Sequence, residues 1–311
     1  MGVVVIGSVR SCGTTTLAVA LAATWPLGRR VLVVELDPAG GSLAAASGWA
    51  AEPSLVTLAA AARRSSDPEA IWAHCHQLPG GGAAVLAAPA SASQVRSAAG
   101  MLGGLLGRLG ELDADVLVDV GRIDLGRVDS ATALPGIVGG AGRVVLTARP
   151  RLADLQSLAI FVETRVDLDS PLRAGLALVL VGDGPYADAE IAEALGVEVL
   201  GRAPWDPQAV ELLTLVPTAD RRLRLSPLVR AARSLAEDFA AETAPAPVPD
   251  GGLDQTPPAS GATRTRLLRR FRAPAAVATA GASDGNAAAW DAAAWDAVCT
   301  NGSSPGGEVA R

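Results

Sequence analysis

One run near the start of the chain carries the hydroxyls, glycine and backbone N–H groups that could hold an anion: Ser8-Val9-Arg10-Ser11-Cys12-Gly13-Thr14-Thr15-Thr16. It follows Val3 to Ile6, which are β-branched and continuously apolar, as a strand buried on both faces requires. It precedes Leu17, Leu21 and Trp25, whose i, i+4, i+8 spacing is the stripe of a helix packed on a sheet. Strand, glycine loop and helix is the layout that presents backbone N–H groups and a helix N-terminus to a phosphate. The full pattern, G-x-x-x-x-G-K-[ST], is met in part. Aligned on Gly13, Ser8 stands at the first glycine, Thr14 where the lysine belongs, and Thr15 at the magnesium-binding hydroxyl. No lysine occurs anywhere in the chain, and all 26 basic residues are arginines. The same residues also fit an ordinary turn between a strand and a helix.

Two further stretches put carboxylates at the ends of apolar runs. Arg30 to Leu36 (RVLVVEL) reads as a second buried strand and runs into the sharp loop Asp37-Pro38-Ala39-Gly40-Gly41. Asp115 to Val120 (DVLVDV) reads as another strand, with Asp119 near its carboxyl end. Open α/β sheets bind ligands in the crevice outside the carboxyl ends of their strands. The loop, Glu35, Asp37 and Asp119 are therefore expected at one edge of one sheet. As isolated residues, Asp37 and Asp119 also fit a turn and a strand-end cap.

The elements that would hold them alternate. Strands are predicted at 83–88, entered through Gly80-Gly81-Gly82, and at 142–147, 176–181 and 197–201. Helices are predicted at 91–109, 152–162, 187–195 and 226–240. About seven strands separated by helices give βαβ units, a mostly parallel sheet and right-handed crossovers. The chain has 311 residues, of which 50% are hydrophobic and only 3% aromatic, so the core must be packed from Leu, Val and Ala. A net charge of −6 gives no global drive towards nucleic acid or anionic membrane. No signal peptide is expected, because the first apolar run is short and lacks a basic leader. No apolar run reaches the roughly 18 residues of a membrane span. Cys12, Cys75 and Cys299 are odd in number and far apart, which reads as reduced and cytoplasmic.

With these residues in place, the chain resembles the MinD/ParA family of P-loop ATPases and, within it, the CpaE/TadZ/Ssd-like branch of positioning and pilus-assembly proteins. The resemblance covers about residues 1 to 240. It rests on the loop, on VLVVELDPAGGSL, DADVLVDV and GRVVLTARPRLADLQSL, and on AEIAEALGVEVLGRAPWDPQAV. It implies a three-layer α/β/α fold with helices on both faces of the sheet, ATP and Mg2+ as ligands, and a homodimer. It also implies partners in a polar, septal or secretion machinery. Under it, Thr15 would hold magnesium, Asp119 would bind it through water, and Glu35 would stand where an aspartate usually assists the metal. Asp37 would polarise the attacking water, and Ala203 to Pro207, with Pro204 and Asp206, would flank the adenine.

The departures are as informative. The family's loop, K-G-G-x-G-K-T-T, has two lysines, and here Val9 and Thr14 occupy those positions. Its two middle glycines are Arg10 and Ser11, whose side chains obstruct close approach of a phosphate to the backbone. The asparagine expected for base recognition is replaced in its neighbourhood by Gly182-Asp183. The resulting expectation is a positioning or scaffold protein with weak or absent ATP binding and hydrolysis. The alternative is an active ATPase in which Arg10 replaces a lysine. A small-molecule enzyme on the same fold, such as an amidotransferase-like synthetase, finds no substrate-side residues in the sequence.

Other features read more plainly. His74-Cys75-His76 looks like a metal box, but neighbours on a helix point apart, and a solvated helix face is expected. An iron–sulfur carrier would need a C-x-x-C pair, which is absent, and Ser–His–Asp hydrolase chemistry finds little support because the only two histidines, His74 and His76, sit together in this one segment. From residue 241 the chain is rich in Ala, Pro, Gly and Ser, a composition expected to stay disordered. Two islands interrupt it. Arg264 to Arg272 (RTRLLRRFR) fits either a charged linker or a short amphipathic helix for the inner face of a membrane or an acidic partner. AAAWDAAAWDA, with Trp290 and Trp295, fits low complexity or a binding motif. Limited proteolysis is expected to leave a stable core of residues 1 to about 240. A tail protected as strongly as that core would contradict the boundary.

Overall fold

The computed structural model describes residues 2–64, 67–123, 137, 140–165 and 175–242. Within them lie eight strands: β1 (Val3–Ser8), β2 (Val31–Glu35), β3 (His76–Gln77), β4 (Ala83–Leu86), β5 (Asp115–Arg122), β6 (Arg143–Ala148), β7 (Leu176–Val181) and β8 (Glu198–Ala203). They form one sheet in the order β3-β4-β2-β5-β1-β6-β7-β8. Every neighbouring pair is parallel except β3 and β4, which are antiparallel. The longer helices are α1 (Thr14–Ala23), α2 (Leu55–Ala62), α3 (Ala92–Met101), α4 (Leu152–Arg165), α5 (Asp188–Leu195) and α6 (Pro227–Glu242).

Strand pleating divides the core in two. Val3 and Val5 of β1 and Leu32 and Val34 of β2 point to one face, where α2, α3, α4 and α5 cover them. Val4 and Ile6, with Val31 and Val33, point to the other, under α1 and α6. Both faces are dry, so these strands carry continuous rather than alternating apolar residues. The result is the expected three-layer α/β/α architecture. Among the described residues no helix is long and apolar enough to cross a membrane.

Three expectations need correction. The sheet has an eighth strand, β3, formed where a solvated helix face was expected. His74 ends a 3-10 turn (Pro68–His74), and the Gly80-Gly81-Gly82 run lets the chain double back, with Leu78 N–H donating to Ala83 O at 2.9 Å. His74 and His76 are half-buried rather than solvated. His74 Nδ1 lies 2.8 Å from the Thr57 hydroxyl, and His76 stacks on Trp49 at 4.7 Å with its Nε2 2.8 Å from Pro53 O. The helix expected over 91–109 breaks after α3 into two short turns (Gly103–Leu106 and Leu109–Glu111). Gly100, Gly103 and Gly104 fall at that break, and each glycine weakens a helix. The 264–272 island, the tryptophan repeat, Cys299 and the tail lie outside the described residues.

The amino-terminal edge of the sheet is tied by one buried carboxylate. Asp115, only 1% exposed, accepts hydrogen bonds from Trp25 Nε1 at 3.0 Å and from the Gly2 N–H at 3.1 Å. It also pairs with the Arg29 guanidinium at 2.7 Å, and Arg29 in turn donates to Ala240 O. This joins the starts of β1 and β5 to the ends of α1 and α6. Truncating it leaves a guanidinium and an indole N–H facing a cavity. Asp115→Ala is expected to cost about 3 kcal/mol of unfolding free energy, the low end for breaking a buried pair because Arg29 is partly solvated. Asp115→Asn, which keeps an acceptor, should lose less. Equal urea midpoints for wild type and the alanine variant would remove this role.

Candidate functional site

The residues singled out at the strand ends meet where β2, β5 and β1 lie side by side. In register, Asp119 of β5 stands between Ile6 of β1 and Glu35 of β2. Apolar neighbours fill the strands up to this level, so the carboxyl ends are the first place where polar side chains collect.

Asp119 is fully buried. Its Oδ1 accepts from the Gly121 N–H at 2.9 Å, whereas Oδ2 is buried without a hydrogen-bond partner. Burial pushes its pKa up to about 7; the Thr15 hydroxyl and the Gly121 N–H oppose this, and the nearby charges of Glu35 and Asp37 add to it. Asp37 is half-buried, with Oδ1 accepting from Ala39 N–H at 2.8 Å, and burial raises its pKa as well. Its carboxylate lies over Gly121, whose φ is +57°. A Cβ at Gly121 would run into that carboxylate, so only glycine allows Asp37 and Asp119 to approach.

Glu35 has a different task. Its Oε1 accepts from Ser42 N–H at 2.7 Å and Leu43 N–H at 3.1 Å, and its Oε2 from Ala88 N–H at 2.9 Å. Burial raises its pKa while these three N–H groups hold it down. The carboxylate therefore fastens the loop after β2 to the end of β4. Its bonding supports a structural anchor rather than the metal contact that the resemblance implies.

The loop between β1 and α1 is stitched to its neighbours. Ser8 is buried with its Oγ lacking a hydrogen-bond partner. Val9 turns into the core on the α4 side. Arg10 reaches out to α4, with Nε 3.5 Å from Asp154 and a terminal nitrogen donating to the Ser157 hydroxyl at 3.2 Å. Ser11 is exposed, and Cys12 is buried with its thiol against Arg10 O. Gly13 takes a left-handed conformation, φ +74°, from which α1 starts. Thr14 is buried, its hydroxyl 3.2 Å from that of Thr147 on β6. Thr15 and Thr16 are half-buried in the first turn of α1, where helical N–H groups lack partners within the helix.

Pro204 and Asp206 lie at the same carboxyl edge beyond β8, three strand spacings or about 14 Å from β1. Asp206 caps a short helix (Pro207–Leu212), accepting from Ala209 N–H at 3.0 Å, and binds the Ser226 hydroxyl at 2.6 Å. Its carboxylate is thus engaged in joining that helix to the start of α6. Half-buried Pro204 stands beside it. The structure brings Thr15, Glu35, Asp37 and Asp119 together and leaves Pro204 and Asp206 at the far end of the crevice.

Among the described residues no group of three His, Cys, Asp or Glu side chains is placed to hold a metal. A Mg2+ ion asks for less: one or two carboxylates, with the rest of its shell filled by water and substrate phosphates. Asp119, with its buried unpartnered oxygen and the Thr15 hydroxyl beside it, fits that demand. One residue near the loop has no counterpart in the sequence reading. Arg149, two positions past Thr147 at the end of β6, donates towards Ser11 O at 3.4 Å. A lone arginine after a strand gives no signal until β6 is known to lie beside β1.

These features define an α/β/α fold of the P-loop NTPase kind. The chain is similar in structure to a ParA family ATPase from Chlorobium tepidum TLS, covering 76% of this chain and 98% of that one, with 16% identity and a TM-score of 0.63. It is similar to the septum site-determining protein MinD of Pyrococcus horikoshii OT3, solved with Mg-ADP, over 78% and 97% of the two chains, with 18% identity and a TM-score of 0.57. A third likeness is to the Aquifex aeolicus MinC:MinD cell division protein complex, over 79% and 98%, at 16% identity and a TM-score of 0.55. The chain matches no protein-family model and no curated protein sequence.

The carboxyl cluster makes stability depend on pH in a definite direction. Asp119 titrates near 3.8 when unfolded and near 7 when folded, so the folded protein holds the extra proton between these values. Its contribution to stability is full below about pH 4 and lost as pH rises towards 7. In EDTA, Asp119→Asn should flatten the fall in melting temperature across that window and be more stable than wild type at pH 8. Parallel profiles for the two proteins would show that Asp119 does not titrate there.

Proposed function

We propose that this protein is a MinD/ParA-like positioning or scaffold protein that binds nucleoside triphosphate and Mg2+ weakly and hydrolyses it at close to background rate. The observation that carries the reading is the fate of the two positions where the family has lysines. Val9 is packed into the core and Thr14 is hydrogen-bonded to β6, so neither offers a cation to the loop. Loss of one charge-assisted hydrogen bond, worth roughly 1.5–3 kcal/mol, weakens triphosphate binding by about 10- to 150-fold. What is left is the backbone N–H groups of the loop, the N-terminus of α1, Thr15 and Asp119. Magnesium, when bound, would offset phosphate charge. Thr15 and Asp119 would hold it, Asp37 would orient a water, and Pro204 would border the base.

The fold likeness supports a placement role, through a homodimer and protein partners of a polar, septal or secretion machinery. The tail from residue 241, with its basic 264–272 segment, would supply a peripheral contact at the inner face of the cell membrane. Nucleic acid is not a favoured partner at a net charge of −6.

One observation favours a second reading, an active ATPase using Arg10. The Arg10 side chain is 54% exposed and its pair with Asp154 is long, so freeing it costs about 0–1 kcal/mol. Phosphate release by wild type, Arg10→Ala and Asp37→Ala, with and without Mg2+, separates the two. Background turnover in all three is expected. Robust magnesium-dependent hydrolysis lost on either substitution would establish the active enzyme instead.

A further inference from the structure

We infer that Arg149, at the carboxyl end of β6, is the cation this protein presents to a polyphosphate anion in its loop. The inference rests on the reading of the loop as a phosphate site and names the residue that takes the place of a lysine there.

Asp154 acts on both Arg10 and Arg149, and the two differ in what else they reach. The Arg10 guanidinium is turned to α4, where it also donates to the Ser157 hydroxyl. Arg149 instead reaches the loop directly, with a terminal nitrogen 3.4 Å from the carbonyl of Ser11. Its position is set by the sheet. β6 pairs with β1 in parallel, with Ser8 opposite Thr147, and the Thr147 hydroxyl meets that of Thr14. The residue two past Thr147 therefore comes up beside the loop, on the side where Thr14 has turned inward. Arg149 is half-buried, which limits the rotamer freedom it loses on binding. Arg10, Arg149 and Arg151 all stand close enough to Asp154 to act on its carboxyl. The charges of three guanidinium groups thus bear on one carboxylate, and Arg10 pairs with it. A guanidinium fork matches two phosphate oxygens at once, and its rigid plane suits a site without a flexible lysine.

A phosphate oxygen beside Ser11 O would offer the guanidinium a charged acceptor, and hydrogen bonds between charged partners are the stronger kind. The chemistry recognised is a di- or triphosphate chain, which nucleotides and inorganic polyphosphates share.

The test is calorimetric titration of the full chain with Mg·ATP and, separately, with inorganic tripolyphosphate at low salt. Arg149→Ala should weaken tripolyphosphate binding by about 10- to 150-fold, the value of one charge-assisted bond. Arg10→Ala should change it much less. Arg149→Gln keeps a donor for Ser11 O without the charge and should lose as much affinity as the alanine variant. It decides the matter if the alanine variant unfolds. Wild-type binding that survives both Arg149 substitutions would overturn the role of Arg149 and leave the nucleotide reading standing. Arg149-dependent binding of tripolyphosphate without any of Mg·ATP would uphold the role and overturn the nucleotide reading. Binding of neither probe by the wild type would overturn both.

Discussion

A parallel sheet covered on both faces has room for polar side chains only at the ends of its strands. β5 obeys that constraint most visibly. Asp115 opens it, Asp119 stands near its close, and Val116, Leu117 and Val118 between them are sealed from water. The two aspartates, four residues apart on one strand, serve opposite ends of the molecule. Asp115 is fully engaged by Arg29, Trp25 and the start of β1, and it closes the amino-terminal edge. Asp119 keeps one oxygen without a hydrogen-bond partner, a cost that a purely structural residue has no reason to carry. The same physical cause, burial in a low-dielectric slab, makes one carboxylate a rivet and leaves the other only partly engaged.

The carboxyl edge then sorts its charges by what surrounds each. Glu35 is surrounded by backbone N–H groups and holds loops. Asp37 rests on a glycine that leaves room for nothing else. The charges of Arg10, Arg149 and Arg151 bear on Asp154 on the β6 side, beyond the loop. Acidic groups thus line the β2–β5 side and cations the β6 side, with the loop between them. That polarity suits a ligand with a phosphate end and a cation-bridged end.

Much of this was legible in the sequence, because β1, β2, β5, β6 and β7 each hold a continuous apolar stretch where a half-exposed strand would alternate apolar and polar residues. The carboxylates at their ends could be placed on one edge from the parallel topology alone. The remainder was hidden for physical reasons. β3 has two residues, His76 and Gln77, too few for any periodicity, and it forms because a glycine run brings it against β4. The break after α3 depends on glycines that a helical pattern tolerates on paper. Glu35 and Asp206 were read by position, but their bonding partners, Ser42, Leu43 and Ala88 for one and Ala209 and Ser226 for the other, are set by tertiary packing. Arg149 could not be found at all without the strand order, since β6 lies beside β1 although more than a hundred residues separate them in the chain.

The paired hydroxyls of Thr14 and Thr147 have a consequence for selectivity. Thr147 is turned towards Gly7 O at 3.5 Å, so Thr14 is left to donate to it, away from the loop's interior. If the loop holds an anion as proposed, the groups left to face it are main-chain N–H groups, with no side chain at the lysine position to inspect what enters. Main-chain N–H groups respond to the size and charge of an anion and are indifferent to what it is esterified with. Under the proposed nucleotide reading, discrimination between one phosphate-bearing molecule and another would fall to the opposite end of the carboxyl edge, beyond β7 and β8, where Gly182 follows one strand and Pro204 the other.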